Sequence, residues 1–400
     1  MRRPTIHTTL PAAWHQSCSL GRAVWVLLLL LLTTAGCERE PQLHLYDSGD
    51  VEIQLPVIDL DLEAYWDYSI TYGLVYDWQA EWYYGWDQED ERLFGPIGYV
   101  EPTVFNLRRY YTGGITPAHH TQVLSNTVNG KTFRGKYNWG FWDILAWNDI
   151  EAVGGVQSLN FDETSSLDSV VAYTNMSMHA SRYHAPRFTR SFYEPEALFS
   201  AYEEGVEINR NLEDFEYDAE RNVYVKKLNM TLHPITYIYL TQIILHHNNK
   251  IISIDGTANL SGMARSVNVN TGLAGNDAIS VYYNMNMKKN CDMDGETVDI
   301  IGGRLLTFGI CNLNPNLVTR PEQVKDVNRH YIDVNMKFRN SMDSTFVFDV
   351  TDQVRKRFKG GVITVELDMD TVKMPDTRNG SAFDAVVKDY EDGGTHEFEM

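Results

Sequence analysis

The chain has 400 residues, with 54 acidic against 34 basic side chains and a formal net charge of −20 at neutral pH. That balance repels phosphate backbones and anionic headgroups, so nucleic acid and acidic lipid surfaces are excluded as partners held by charge. Hydrophobic residues make up 43% of the chain and aromatics 12%, too much apolar mass for a disordered protein.

Arg2 and Arg3 open the sequence, Arg22 precedes an unbroken apolar run over residues 23–32, and Thr33, Thr34, Ala35 and Gly36 lead into Cys37. This is the order of a secretory signal: a charged region, an apolar region and a small-residue cleavage site. The apolar run is about half the ~20 residues that a membrane-spanning helix needs. A cysteine directly after Ala35 and Gly36 is the pattern of a bacterial lipoprotein signal, with Thr34 standing where an aliphatic residue is more usual. Residues 1–36 are therefore expected to be removed and Cys37 to carry the lipid. Processing takes Cys18 away and lipidation consumes Cys37, which leaves Cys291 and Cys311. In an exported protein these read as a disulfide, with two buried free thiols as the alternative.

The mature chain beyond the signal exceeds the ~250–300 residues at which single cores stop growing, so two domains are expected. Residues 37–50 are polar and charged and read as a tether. Ile58, Leu60 and Leu62 then alternate with Asp59, Asp61 and Glu63, which is the period of a half-buried strand. Tryptophan and tyrosine concentrate over residues 65–86. Exposed, Trp66, Trp78, Trp82 and Trp86 would stack on sugar rings or anchor a protein partner; buried, they belong to the core of the first sandwich.

Further strands are expected at residues 70–76, 141–147 and 169–174, and a short amphipathic helix at 195–202 on the spacing of Leu198, Phe199 and Tyr202. The acidic, weakly apolar stretch 213–222 is the best boundary, dividing the chain into domains 51–220 and 221–400. Leu228, Met230 and Leu232 continue the alternation. Residues 237–245 are apolar on both faces, as a strand central to a sandwich would be. More strands are expected at 279–287, 304–310, 332–338, 345–350 and 362–367, with turns at Asn129-Gly130 and Asp294-Gly295 among others. A second short helix is expected at 352–358, with Thr351 as N-cap and Val354 and Phe358 on one face. An acidic tail closes the sequence at 389–399. Many short strands with turns between them make the fold all-β, of sandwich type, with one or two short helices.

Little in the sequence carries chemistry. Histidines group as His119-His120, His246-His247 and His179 with His184. Adjacent residues of a regular strand point to opposite faces, so neither histidine pair is expected to chelate one metal. Asp292, Asp294 and Gly295 look like the start of a calcium loop, but Gly303 stands where its glutamate belongs, so a polar turn is expected. No GxSxG, P-loop or dinucleotide fingerprint occurs. No cofactor, no metal and no enzymatic activity are expected.

Five stretches carry a resemblance: residues 140–148 (GFWDILAWN), 194–206 (EPEALFSAYEEGV), 236–245 (TYIYLTQIIL), 259–271 (NLSGMARSVNVNT) and 348–361 (FDVTDQVRKRFKGG). With the lipoprotein signal, they resemble the fimbrillin-like cell-surface lipoproteins of the Bacteroidales, a family related to fimbrial anchor proteins. The resemblance implies two tandem transthyretin-like β-sandwich domains, lipid attachment at the outer-membrane surface, and fimbrial subunits as partners. In such assemblies a subunit that loses its N-terminal strand opens a groove for the next subunit's strand, whereas an anchor keeps that segment. Arg39 lies so close to Cys37 that cleavage there would release the whole protein, which favours an anchor. The alternative is a glycan-binding lipoprotein using the tryptophan-rich stretch.

Cys37→Ser is expected to abolish incorporation of a labelled fatty acid and to move the protein out of the outer-membrane fraction, since a lipoprotein cysteine carries enough acyl chain for stable attachment. Wild-type levels of the variant in that fraction would contradict the lipid anchor.

Overall fold

The period-two alternation resolves into strands throughout the computed structural model, which describes residues 58–66, 78–82, 86–113, 122–150, 158–163, 170–177, 191–208, 212–314, 316–375 and 385–387. All of them fall within the unit Val57–Met400. Up to residue 218 the strands are β1 (Ile58–Trp66), β2 (Val104–Gly113), β3 (Gln122–Asn129), β4 (Thr132–Lys136), β5 (Gly140–Asn148), β6 (Leu159–Glu163), β7 (Val170–Thr174), β8 (Ser191–Tyr193), β9 (Phe199–Ile208) and β10 (Glu216–Asp218). Next come β11 (Val223–Pro234), β12 (Tyr237–His246), β13 (Ile251–Ala264), β14 (Ser266–Asn268), β15 (Ala278–Asn284) and β16 (Asn286–Met293). The last are β17 (Glu296–Thr307), β18 (Tyr331–Phe338), β19 (Asp343–Asp349), β20 (Gly361–Asp368) and β21 (Ala385–Val387). Among the described residues three short α-helices accompany them: α1 (Trp78–Glu81), α2 (Gln88–Phe94) and α3 (Thr351–Lys356).

The fold is all-β, with strands in layered sheets. One sheet runs β3-β2-β5-β9-β11-β1-β4, with β10 also on β11. In it β11 turns a corner: residues 224–232 pair with β1, and only His233 and Pro234 pair with β9. The bend folds the sheet over a core that includes Phe105, Trp142, Ile144, Phe199, Met230 and Leu232.

Two further sheets, β16-β17-β12-β20 and β21-β19-β18-β13-β15-β8, close on the largest core. Its centre is β12, where every residue from Tyr237 to Leu245 is buried. Tyr239, Ile243 and Leu245 face that core, while Ile238, Leu240 and Ile244 face a separate apolar layer on the other side. That is the strand period of two with both faces covered. Elements of the first half complete sheets of the second: β8 pairs in parallel with β15, and β7 pairs with β14.

Two local expectations need correction. Residues 195–202 hold no helix: Phe199 begins β9, because its N–H is taken by the Asn148 side chain at 2.6 Å and the chain then pairs along β5. Tertiary pairing overrides the helical spacing here. Thr351 is the first residue of α3, one place inside the expected N-cap, and its N–H and hydroxyl are satisfied by Asp349. Val354 and Phe358 do bury one face of that segment in the main core. The strand expected at 70–76 lies outside the described residues.

Asp333, on β18, is fully buried. Its Oδ2 accepts from Asn259 Nδ2 at 3.0 Å, and Oδ1 has no hydrogen-bond partner among the described residues. Burial pushes its pKa from 3.8 up to about 8. The folded chain therefore holds a proton that the unfolded chain releases, so this group's contribution is complete below about pH 4 and is lost as pH rises to about 8. The slope is at most about 1.4 kcal/mol per pH unit. Asp333→Asn keeps an acceptor for Asn259 and removes the titration, so its Tm is expected to fall less than the wild-type value between pH 5 and pH 8. Parallel Tm profiles would contradict this.

Candidate functional site

β1 is placed unlike the other strands of its sheet. It runs parallel to β11 from Ile58↔Tyr224 to Trp66↔Leu232, and antiparallel to β4 from Asp59↔Lys136 to Glu63↔Thr132. Among the described pairings β1 alone joins β4 to β11. Taking it away would leave two strand edges facing one another across about two strand spacings, or ~9.5 Å. Each edge would carry a row of unsatisfied N–H and C=O groups, which is the geometry that accepts a donated strand. Along β11 in register with β1, Tyr224, Leu228, Met230 and Leu232 pack in or against the core, opposite Ile58, Leu62, Ala64 and Trp66, while Lys226 stands opposite Leu60. Asp59, Asp61 and Glu63 take the alternate positions.

The aromatic stretch behaves differently from the expectation that its tryptophans present a ligand platform or fill the first core. Trp78 is 9% exposed and Trp82 0%, and both pack with Ile238, Leu240, Ile244 and Ile300 on the outer face of the β16-β17-β12-β20 sheet. Trp86 is half-buried and meets Trp82 edge-on, ring centroids 5.0 Å apart. Trp66 lies in β1, with its backbone opposite Leu232. A Cβ at Gly302 would lie 2.7 Å from the Thr241 carbonyl oxygen and 3.1 Å from the Trp82 ring, so glycine there lets the indole seat. The segment is pinned by Gln242 Nε2 donating to the Glu81 carbonyl at 2.8 Å and by the Arg357–Glu81 ion pair. A capping box of Asp87 and Asp90 starts α2, and Lys288 reaches Asp90 at 2.8 Å. The sequence held one signal for this layer: a strand apolar on both faces needs a cover on each.

Cys291 and Cys311 are free, buried thiols, so the expected disulfide is not formed. Cys291 stands opposite Val298 near one end of β17, whereas Cys311 lies beyond Thr307 at the other end. The strand between puts roughly 30 Å between them, against a limit of about 7 Å between bridged Cα atoms. They sit in separate apolar clusters. Burial pushes their pKa values up to about 11 and about 12, so both are protonated at neutral pH.

The geometry behind the histidine argument also changes. β12 ends at His246, and His247 takes a left-handed conformation with φ 52°. Strand alternation no longer applies, and both rings reach Glu296 Oε1: His246 Nδ1 at 3.0 Å and His247 Nε2 at 3.7 Å. Asp294 (φ 52°) and Gly295 (φ 88°) form the two-residue turn joining β16 to β17, the polar turn expected there. Cys37, His119, His120, His179 and His184 lie outside the described residues.

Where β9 and β11 part beyond their two paired positions, a cavity of about 550 Å³ opens, walled by Ser200, Glu203, Asn229, Thr231, Asn270 and Lys359 among others. Its lining mixes polar and apolar side chains, and Ser200 of β9 and His233 of β11 stand opposite one another along it.

No protein-family model matches the chain, and no curated protein matches it. Several solved structures do. A protein assigned as an adhesin from Bacteroides ovatus superposes with a TM-score of 0.46 at 12% identity, covering 80% of this chain and 95% of its own. Another assigned adhesin, from Bacteroides thetaiotaomicron, gives 0.43 at 10%, covering 79% and 93%. The fimbrial anchor protein Mfa2 of Porphyromonas gingivalis gives 0.39 at 10%, covering 86% and 95%. These neighbours are Bacteroidales adhesin and fimbrial proteins, the group that the sequence stretches resemble.

Two measurements check the packing. Trp82→Ala is expected to cost about 3–5 kcal/mol, the range for emptying a buried aromatic site, read as a fall in unfolding free energy; a change below ~1 kcal/mol would place the ring at the surface. Under non-reducing conditions, Cys291 and Cys311 are expected to alkylate only after unfolding, with no disulfide-linked peptide in the mass spectrum.

Proposed function

We propose that this protein is a non-enzymatic surface lipoprotein, tied to the outer membrane through Cys37 and serving as an anchor or accessory subunit of a fimbria-like assembly. The observation that carries this reading is β1, the first described strand, keyed between β11 and β4. In an assembly built by strand exchange, a subunit that has lost such a strand offers an open slot. One that keeps it has its edges already satisfied and accepts no donated strand there. A subunit with the slot filled and a lipid on the same segment ends a fibre at the membrane. Residues 38–57 lie between the lipidated cysteine and β1, and fully extended they reach at most about 70 Å, enough to hold the body clear of the lipid surface.

The glycan-binding alternative loses two of its four tryptophans, because Trp78 and Trp82 are buried against the β16-β17-β12-β20 sheet. An enzymatic reading has no GxSxG, P-loop or dinucleotide motif in the sequence to build on.

The test is the N-terminus of the mature protein. Mass spectrometry of protein extracted from outer membranes is expected to find a lipid-modified Cys37 peptide, with residues 58–66 still joined to the rest of the chain. A mature N-terminus beyond Trp66 would mean that the slot is emptied, and would make the protein a polymerising subunit instead of an anchor.

A further inference from the structure

At one end of the β16-β17-β12-β20 sheet, three chain segments bring histidines and carboxylates together. β12 contributes His246 and the turn after it His247; β17 opens with Glu296; β20 ends in Glu366 and Asp368, with Asp370 in the turn beyond. His247 Nδ1 lies 3.1 Å from Asp368 Oδ1, and ligand atoms of His247, Asp368 and Asp370 all lie within 4.8 Å of one another. We propose that His247, Asp368 and Asp370 bind a divalent transition-metal ion of the zinc type. The site is independent of the anchoring role.

Several features support it. One imidazole and two carboxylates form a donor set suited to zinc, with water free to take the fourth position. Ligand atoms about 2.0–2.1 Å from a tetrahedral ion stand ~3.4 Å apart, between the 3.1 Å from His247 to Asp368 and the 4.8 Å that bounds the group, a small adjustment for side chains as exposed as His247 and Asp368, at 57% and 42%. Metal-binding histidines present their other ring nitrogen to a carboxylate that fixes the ring and its tautomer. His247 would offer Nδ1 to the ion beside Asp368, while its other ring nitrogen, Nε2, lies at an ion-pair distance of 3.7 Å from Glu296. Glu296 is held in turn by His246 Nδ1 at 3.0 Å, and His246 Nε2 is buried without a hydrogen bond among the described residues, 3.7 Å from Glu366. The neighbouring cation, Lys250, is directed to main-chain carbonyls of the same turn, at 2.5 Å from Met369 O and 2.7 Å from Val372 O. The left-handed step at His247 makes the cluster possible, since in continued strand geometry the two rings would lie on opposite faces. An ion here would tie the β12–β13 turn to the end of β20, a parallel strand at the edge of its sheet.

The experiment uses the full chain, stripped with chelator and exchanged into metal-free buffer, then titrated with zinc chloride by calorimetry and thermal melting. One zinc per chain and a Tm that rises with zinc concentration are expected, because a ligand that binds only the folded state stabilises it. His247→Ala and Asp370→Asn should each lower affinity at least about tenfold, and Glu296→Gln by about tenfold through the lost ring orientation. His233→Ala, at the distant β9–β11 seam, should bind like wild type. Circular dichroism without metal confirms that each variant is folded; should His247→Ala not fold, the exposed Asp370→Asn change carries the test. A wild-type chain with neither saturable heat nor a zinc-dependent Tm overturns the proposal, as does undiminished binding by the folded variants.

Discussion

β12 has no solvent face, and the structure is organised by what that requires. Each residue from Tyr237 to Leu245 is buried, so a sheet must close over one side and something else must cover the other. The first cover is the β13, β15, β18 and β19 layer, which brings Leu260, Val281, Val334 and Phe346 onto Tyr239 and Ile243. The second is no sheet at all but the short aromatic segment of α1 and α2. Polar groups at the strand's centre are absorbed on both sides: Thr241 bonds the Gly303 carbonyl and the Tyr283 hydroxyl, and Gln242 bonds Glu81 and Thr364. A buried strand tolerates such residues only when they are paired in this way.

The covering segment ties early sequence to late sequence. Residues 78–94 lie between β1 and β2 in the chain, yet they pack on strands from the second half. The parallel pairing of β1 with β11 is one that a hairpin cannot make. It also leaves β1 without a sequence-adjacent partner, held by two edges that come from elsewhere in the chain.

The strands were the most legible part of the sequence, because side-chain alternation is a local property that survives in any context. Residues 141–147, 332–338 and 362–367 all fall inside observed strands. The polar turn at Asp294-Gly295 was equally local, since it needs only two residues able to adopt positive φ. Residues 195–202 show where such reasoning stops. Their apolar spacing fits a helix, but β5 and the Asn148 side chain claim the backbone first.

By itself the sequence determined the all-β character and the two-faced burial of residues 237–245. Each comes from the spacing of neighbouring residues, which needs no partner to be read. Only the tertiary structure decided which groups meet. Cys291 and Cys311 are separated because β17 runs its full length between them. Trp78 and Trp82 are buried because the open face of a distant sheet lay where the chain crosses. His246 and His247 share a carboxylate because the strand ends between them and one backbone dihedral changes sign. Long-range register and the direction of the chain at a strand end depend on contacts between residues far apart in sequence, so no local pattern encodes them.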